Sequence, residues 1–538
     1  MAMIKKNNFM SFIIISYLIL LIGRVPMYHM IGTDGMTFFC IAQGSVLLVG
    51  GAFFYSMREG MASLIRYRVR REQFKRIRKL LVQSCLFIFL FSMALTVALE
   101  ILLPYVIGDI LQLPLAIVSV RVALLGIPLL AVAGTLQGYF QGFHLRAPGI
   151  HADFIFAAVF LVVGFFSVEG FLLYGQKVAG LLHNDRFRYE YGAIGASFGL
   201  LAACAISLLY AVILYFMFRK NLEKDGERAR DYLRNGENFF SRIRLVLGSG
   251  LMSALFYIFF AASDLVSAAA FLFFHNGDSS NITDYGLYYT GCQTLLLAVI
   301  LFLFLLFHSS VRRIVYYQEH EEVRLVREKL SFLIHRMMVI LLPFVVIVAV
   351  LSDNLSALIL GETNESVSSA MQISSIGILL GTAGFVYVFM LLRLKKNIPA
   401  IMMAGGSLVL QIVLLVITMS VGINGMQAVA LSKMGFFLLL TVLGFMLVSR
   451  ETQYRQDWIR GIAVPIALAA IMGLMIIMMN RFLTPSSGRI VGTIVCTVVG
   501  ILIYLVLLLL SRNLKREELS SSMIGKLLLR VGELARLY

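Results

Sequence analysis

The sequence predicts an all-α integral membrane protein with about fourteen transmembrane helices, arranged as two pseudo-symmetric six-helix bundles plus two C-terminal helices. Three observations predict it. The first is composition: 538 residues are 60% hydrophobic and 14% charged, with a mean hydropathy of +0.89. No soluble domain needs so much apolar surface. The second is that about fourteen apolar runs of roughly 20 residues can be marked from Phe9 to Leu510, each long enough to cross a bilayer core of about 30 Å. The third is charge. When the connections are assigned alternately to two sides, 38 of the 46 lysines and arginines fall on one side and 5 on the other. The positive-inside rule reads this as an even number of spans with both termini cytoplasmic.

The runs lie at 9–30, 37–57, 80–103, 115–139, 150–171, 191–218, 245–274, 285–311, 332–351, 367–392, 398–420, 426–448, 460–480 and 489–511. The first follows Lys5 and Lys6, as a signal peptide would, but no small-residue cleavage site follows it, so it is read as helix one. The five cysteines, Cys40, Cys85, Cys204, Cys292 and Cys496, fall inside apolar runs without a CxxC and read as small core residues. The net charge of +17 sits in cytoplasmic connections, where anionic lipid rather than nucleic acid is the partner.

The long polar segment 219–244 reads as a cytoplasmic linker between an N-terminal bundle, 1–218, and a C-terminal bundle, 245–448. Residues 449–511 carry helices thirteen and fourteen, and 512–538 form an amphipathic, basic tail expected on the inner leaflet. The halves look like copies. Thr33-Asp34-Gly35 follows helix one as Thr283-Asp284-Tyr285-Gly286 follows helix seven. Ile107-Gly108-Asp109 matches Leu360-Gly361-Glu362, and Gly192-Ala-Ile-Gly195 matches Gly422-Ile-Asn-Gly425. The first half carries an insertion at about 171–190. Six helices per copy give both halves one orientation, related by an axis along the membrane normal, and transporters built this way hold their site between the halves.

No P-loop, HExxH, GxSxG or His/Cys cluster occurs, so neither a built-in ATPase nor a metal or serine hydrolase centre is expected. Ionisable residues inside the spans are then the functional candidates, because charge in lipid is costly. Arg24 lies deep in helix one beside Pro26, which frees a backbone carbonyl and kinks the helix; a bent helix with an arginine suits a hydrated cavity that holds an anion. Asp264 lies well inside helix seven, the repeat equivalent of helix one. Arg58 ends helix two, either at the cavity mouth or as a positive-inside anchor, and Lys433 lies in helix twelve. Arg121 and the histidines His29, His151 and His335 read as interfacial, and Asp153 as a cap or ion-pair partner. Gly134, Gly138 and Gly142 mark a helix-packing face. The charged stretch Glu319–Lys329 reads as a solvated extension of helix eight.

Arg24-Val-Pro-Met-Tyr-His-Met-Ile-Gly32-Thr-Asp-Gly35 resembles the RIPLYxxIGxEG signature of helix one in lipid-linked saccharide flippases. These belong to the multidrug/oligosaccharidyl-lipid/polysaccharide exporter superfamily; the branch resembled includes lipid II flippases and the spore stage V protein B type. Gly138-Tyr-Phe-Gln-Gly142 resembles that branch's GYFQG, and the stretches Glu322–Gly361 and Gly422–Gly425 are similar to its helices nine and twelve. The resemblance runs over nearly the whole chain. Where the family reads IPxAISK, this chain has Met61-Ala-Ser-Leu-Ile-Arg66-Tyr67, and the prolines expected in helices seven and eight are replaced near Gly248-Ser249 and His308-Ser309.

The resemblance implies a bacterial-type plasma-membrane flippase, not an enzyme and without cofactor. Its cationic cavity would be lined by helices one, two, seven and eight. The substrate would be a polyprenyl-diphosphate-linked saccharide, lipid II or a polysaccharide repeat unit, moved by alternating access with membrane potential or a coupling ion as driving force. The alternatives are a multidrug antiporter of the same superfamily, an integral-membrane polysaccharide polymerase and a non-transporting scaffold.

Overall fold

The structure, a computed structural model, describes residues 8–71, 73–223, 239–274, 279–454 and 459–511. Lys5, Lys6, most of the 219–244 linker and the whole of the C-terminal tail 512–538 lie outside the described residues. Among those described there is no strand. In chain order the helices are α1 (Asn8–Ile22), α2 (Arg24–Arg70), α3 (Phe74–Leu103), α4 (Ala116–Leu124), α5 (Gly126–Gly142), α6 (Ala147–Leu182) and α7 (Arg186–Glu223). Then come α8 (Phe239–Phe274), α9 (Ser279–Leu287), α10 (Thr294–Glu319), α11 (Val323–Val350), α12 (Ser352–Leu360) and α13 (Glu365–Arg393). The last are α14 (Asn397–Ser420), α15 (Gly425–Thr452), α16 (Val464–Ser487) and α17 (Arg489–Leu510). Single π-helical turns occupy Pro104–Ile110, Tyr288–Gln293 and Ile459–Ala463.

Among the described residues 13 helical segments are long and apolar enough to cross a membrane. The first, Phe12–Arg70, has 59 residues, and at 1.5 Å per residue its length of about 90 Å is enough for two crossings. It breaks at Gly32, where φ is 71° and ψ −177°, a conformation only glycine adopts without strain. The double-length segment accounts for the difference between 13 and the expected fourteen.

By contact the chain forms two compact units, Met1–Thr290 with Ala404–Met419, and Gly291–Met403 with Ser420–Tyr538. In the first unit α2 is the organising element. Met57, Met61 and Ile65 on α2 are buried with Leu80 and Ile88 of α3 and Tyr139 and Phe140 of α5. The packing face read from Gly134, Gly138 and Gly142 lies against α2: a Cβ at Gly138 would sit 2.5 Å from the Arg58 carbonyl oxygen, and one at Gly134 would strike that of Phe54. Small residues here let two helix backbones approach. The α2–α8 crossing repeats the device, with Gly60 against the Val246 carbonyl and Gly250 against that of Ser56.

The insertion at 171–190 takes the form of helix rather than loop. It lengthens α6 to 36 residues and α7 to 38, about 54 and 57 Å, well beyond the bilayer core. The turn between them is made by His183 in the left-handed region (φ 49°).

In the second unit, Asn364 and Asn424 cap α13 and α15 through side-chain oxygens that accept from Val367 N–H and Met426 N–H, both at 3.1 Å. The core of α16 and α17 is built on Met472, Ile476, Cys496 and Tyr504. One expectation is corrected here. The charged stretch Glu319–Lys329 does not extend helix eight: α10 stops at Glu319, and Val323–Lys329 open α11. Glu321 turns left-handed (φ 59°), and Glu322 N–H donates back to the Tyr317 carbonyl at 3.0 Å, a capping bond that closes one helix before the next begins.

Candidate functional site

Arg24 opens α2. The helix before it ends at Ile22, and Pro26 has no N–H to donate to the Ile22 carbonyl, so the α1-to-α2 junction at Gly23 lies one turn before the proline. The junction sets Arg24 into the interior of the first unit, where it is 8% exposed. Its Nη2 donates to Gln43 Oε1 at 2.9 Å. The same oxygen accepts from the Tyr289 hydroxyl at 2.6 Å, and the guanidinium carbon stands 4.3 Å from the Tyr289 ring centroid. Tyr289 belongs to the π-helical turn Tyr288–Gln293, an irregularity typical of functional positions.

Arg24 Nε and Nη1 are buried with no hydrogen-bond partner among the described residues. Leaving a buried donor unpaired costs roughly 1–3 kcal/mol, and more when the group is charged. The arginine therefore presents two unpaired donors, one on each side of the Nη2 that Gln43 takes. Asp264 on α8 is half-buried, and its neighbour Leu265 packs on Gly44, next to Gln43, where a Cβ would lie 3.0 Å from the Leu265 side chain. The helix that carries Asp264 thus runs alongside the Gln43 that holds Arg24. At the next level the two repeated loop motifs meet: Thr283 Oγ1 donates to Asp34 Oδ1 at 2.8 Å, and Gly286 lies against the Thr33 carbonyl.

Arg58 and Arg121 make other contacts within the first unit, and Lys433 belongs to the second. Arg58 lies further along α2, with Nε donating to Gln141 Oε1 at 3.2 Å and Nη1 3.5 Å from Asp153 Oδ2. Lys433 is in the second unit, 6% exposed on α15, with Nζ 5.5 Å from the Phe436 ring centroid. Arg121 pairs with Glu100 at 3.1 Å and is half exposed. Sequence reasoning missed Gln43 and Tyr289. A lone amide in the apolar run 37–57 was the signal for the first; nothing local marks Tyr289 among the neighbouring tyrosines.

No family model matches the sequence, and no curated protein matches it. Solved structures match in fold. An inward-facing multidrug resistance MATE family transporter of the MOP superfamily aligns with a TM-score of 0.66 at 12% identity, over 81% of this chain and 94% of that one. The lipid II flippase MurJ, in an inward closed conformation, aligns at 0.63 and 13% identity, over 94% of this chain and 98% of the flippase. The eukaryotic MATE transporter AtDTX14 aligns at 0.56 and 12% identity, over 84% and 98%. The chain has the all-α, multi-pass fold of MOP-superfamily membrane transporters.

Proposed function

We propose that the chain is a flippase carrying a polyprenyl-diphosphate-linked saccharide from the inner to the outer leaflet by alternating access. The observation that carries this reading is Arg24, buried, deep in a membrane span and holding two unpaired donors. A guanidinium matches phosphate oxygens through its fork, which a lysine reproduces poorly. The diphosphate would take the donors that Gln43 leaves free, with Asp264 as the nearby counter-charge in the empty state. Arg58 and Lys433 are proposed as further cationic contacts along the path. The lipid tail would stay in the bilayer while the headgroup crosses.

We propose two six-helix repeats, 1–218 and 245–448, related by rotation about the membrane normal. The meeting of the Thr33 and Thr283 motifs supports this, since equivalent positions of a duplicated chain meet near its two-fold axis. We propose a bacterial-type plasma membrane with both termini and the 219–244 linker on its cytoplasmic side; the asymmetry of lysine and arginine supports the orientation. An impermeant thiol reagent applied from outside is expected to label Ser279→Cys and to spare Asn235→Cys; the reverse pattern contradicts this topology.

Depletion of the protein in cells, followed by labelling of lipid-linked precursors, tests the function. A flippase predicts accumulation on the inner leaflet. A polymerase predicts accumulation on the outer leaflet. A multidrug antiporter predicts unchanged precursors and altered drug sensitivity. Asp264→Asn is expected to slow the transport cycle more than it weakens substrate binding, read as a lower maximal rate at nearly constant half-saturation.

A further inference from the structure

A second polar cluster lies on α2, on the far side of Gln43 from Arg24, and of its members only Arg58 is among the contacts proposed above. Its floor is aromatic. The Tyr55 and Tyr257 rings lie 4.6 Å apart, tilted by 34°, and the Tyr17 hydroxyl is hydrogen-bonded to that of Tyr55. Gly51 lets the Tyr257 ring rest directly on the α2 backbone. Tyr17, 38% exposed, is the most exposed of the three.

Beside it stands a set of planar hydrogen-bonding groups. Arg58 and Asp153 pair at 3.5 Å, each 18% exposed at the side chain. Gln137 Nε2 donates to Asp153 Oδ1 at 3.4 Å. Tyr55 and Arg58 are three residues apart on α2 and so share a helix face, and Arg58 carries the contact to Asp153, so platform and polar groups are neighbours. Gln137 is 2% exposed, and its Oε1 has no partner among the described residues. A buried, unpaired amide oxygen facing a set of donors and acceptors is what a ligand rich in hydroxyls would satisfy.

We propose that this cluster is a saccharide subsite, separate from the diphosphate position at Arg24. The inference rests on the flippase reading above and names where the sugar goes. Tyrosine faces are apolar and carry partial negative charge, the complement of the C–H bonds on one face of a pyranose ring. Amide, carboxylate and guanidinium groups at the edge suit the ring hydroxyls, which both donate and accept. From Gln43, the Arg24 partner, to Arg58 is fifteen positions along a continuous helix, a rise of about 22 Å, so the subsite suits an oligosaccharide stretched away from its diphosphate.

The test compares binding of two probes to the purified full chain in nanodiscs: undecaprenyl diphosphate, and the same lipid bearing a disaccharide. The wild type is expected to bind the glycosylated lipid about tenfold more tightly, the order of one stacking contact plus one hydrogen bond. Tyr17→Ala, on an exposed side chain, and Gln137→Met, which keeps the buried volume, are each expected to lose at least half of that factor in binding the glycosylated lipid. Binding of the bare lipid, read in the same variants, reports that they are folded. A sugar increment that persists in both variants overturns the subsite while leaving the flippase reading intact, as does a wild type that binds both lipids equally. A wild type that binds neither lipid overturns the flippase reading and the subsite with it.

Discussion

Arg24→Ala is expected to abolish transport at wild-type protein levels, and Arg24→Lys to restore it only in part. The side chain is 8% exposed, anchored to Gln43 and Tyr289, with two donors unpaired. Charge-assisted hydrogen bonds of this type contribute roughly 1.5–3 kcal/mol each, so losing two amounts to a hundredfold or more in substrate affinity. Lysine keeps the charge and loses the fork. The alanine variant is expected to fold, because it removes a buried charge that the protein itself leaves half satisfied. Complementation of a depleted strain, with the variant quantified in membranes, checks the result. Full transport by Arg24→Ala would assign the arginine a structural role.

Gly250→Leu is the second large effect. Gly250 lies against the Ser56 carbonyl, and one turn away Gly60 lies against that of Val246. Ser249 Oγ shares its one proton between the Val246 carbonyl of its own helix at 3.0 Å and the Gly60 carbonyl across the crossing at 3.3 Å. The obstructing atoms are backbone oxygens, which cannot rotate away as a side chain would. Overpacking of this kind costs roughly 1–3 kcal/mol, occasionally more. The apolar span is unchanged, so insertion is expected to continue. A lower melting temperature in detergent and a transport rate reduced at least tenfold are the expected readouts; wild-type values for both would mean that α2 and α8 separate freely at this point.

Much of the fold was legible because its signals are local. Apolar runs and alternating charge mark the spans without any knowledge of what they touch, and the spacing of Gly134, Gly138 and Gly142 marks a packing face on its own. Arg24 and Asp264 stood out for the same reason, as charges where charge is expensive. Their surroundings were not legible. Gln43 and Tyr289 meet at one atom although 246 positions separate them, and Tyr17, Tyr55 and Tyr257 are drawn from three helices. Aromatic residues are common in membrane spans, so no period or composition distinguishes a platform from core. The break between α10 and α11 was misread because charge at helical spacing continues across it, while the capping bond that ends the helix involves backbone groups that sequence does not display.

The central claim is that this chain moves a diphosphate-linked saccharide across a bilayer. It is tested most directly with purified protein in sealed vesicles carrying a fluorescent polyprenyl-diphosphate disaccharide in both leaflets, to which an impermeant glycosyltransferase and its sugar donor are added outside. Vesicles with the wild type are expected to have nearly all of the lipid modified, and vesicles with Arg24→Ala about half, the fraction already facing outward. Modification that stops at half with wild-type protein, under an imposed membrane potential or an ion gradient of either sign, would contradict the account.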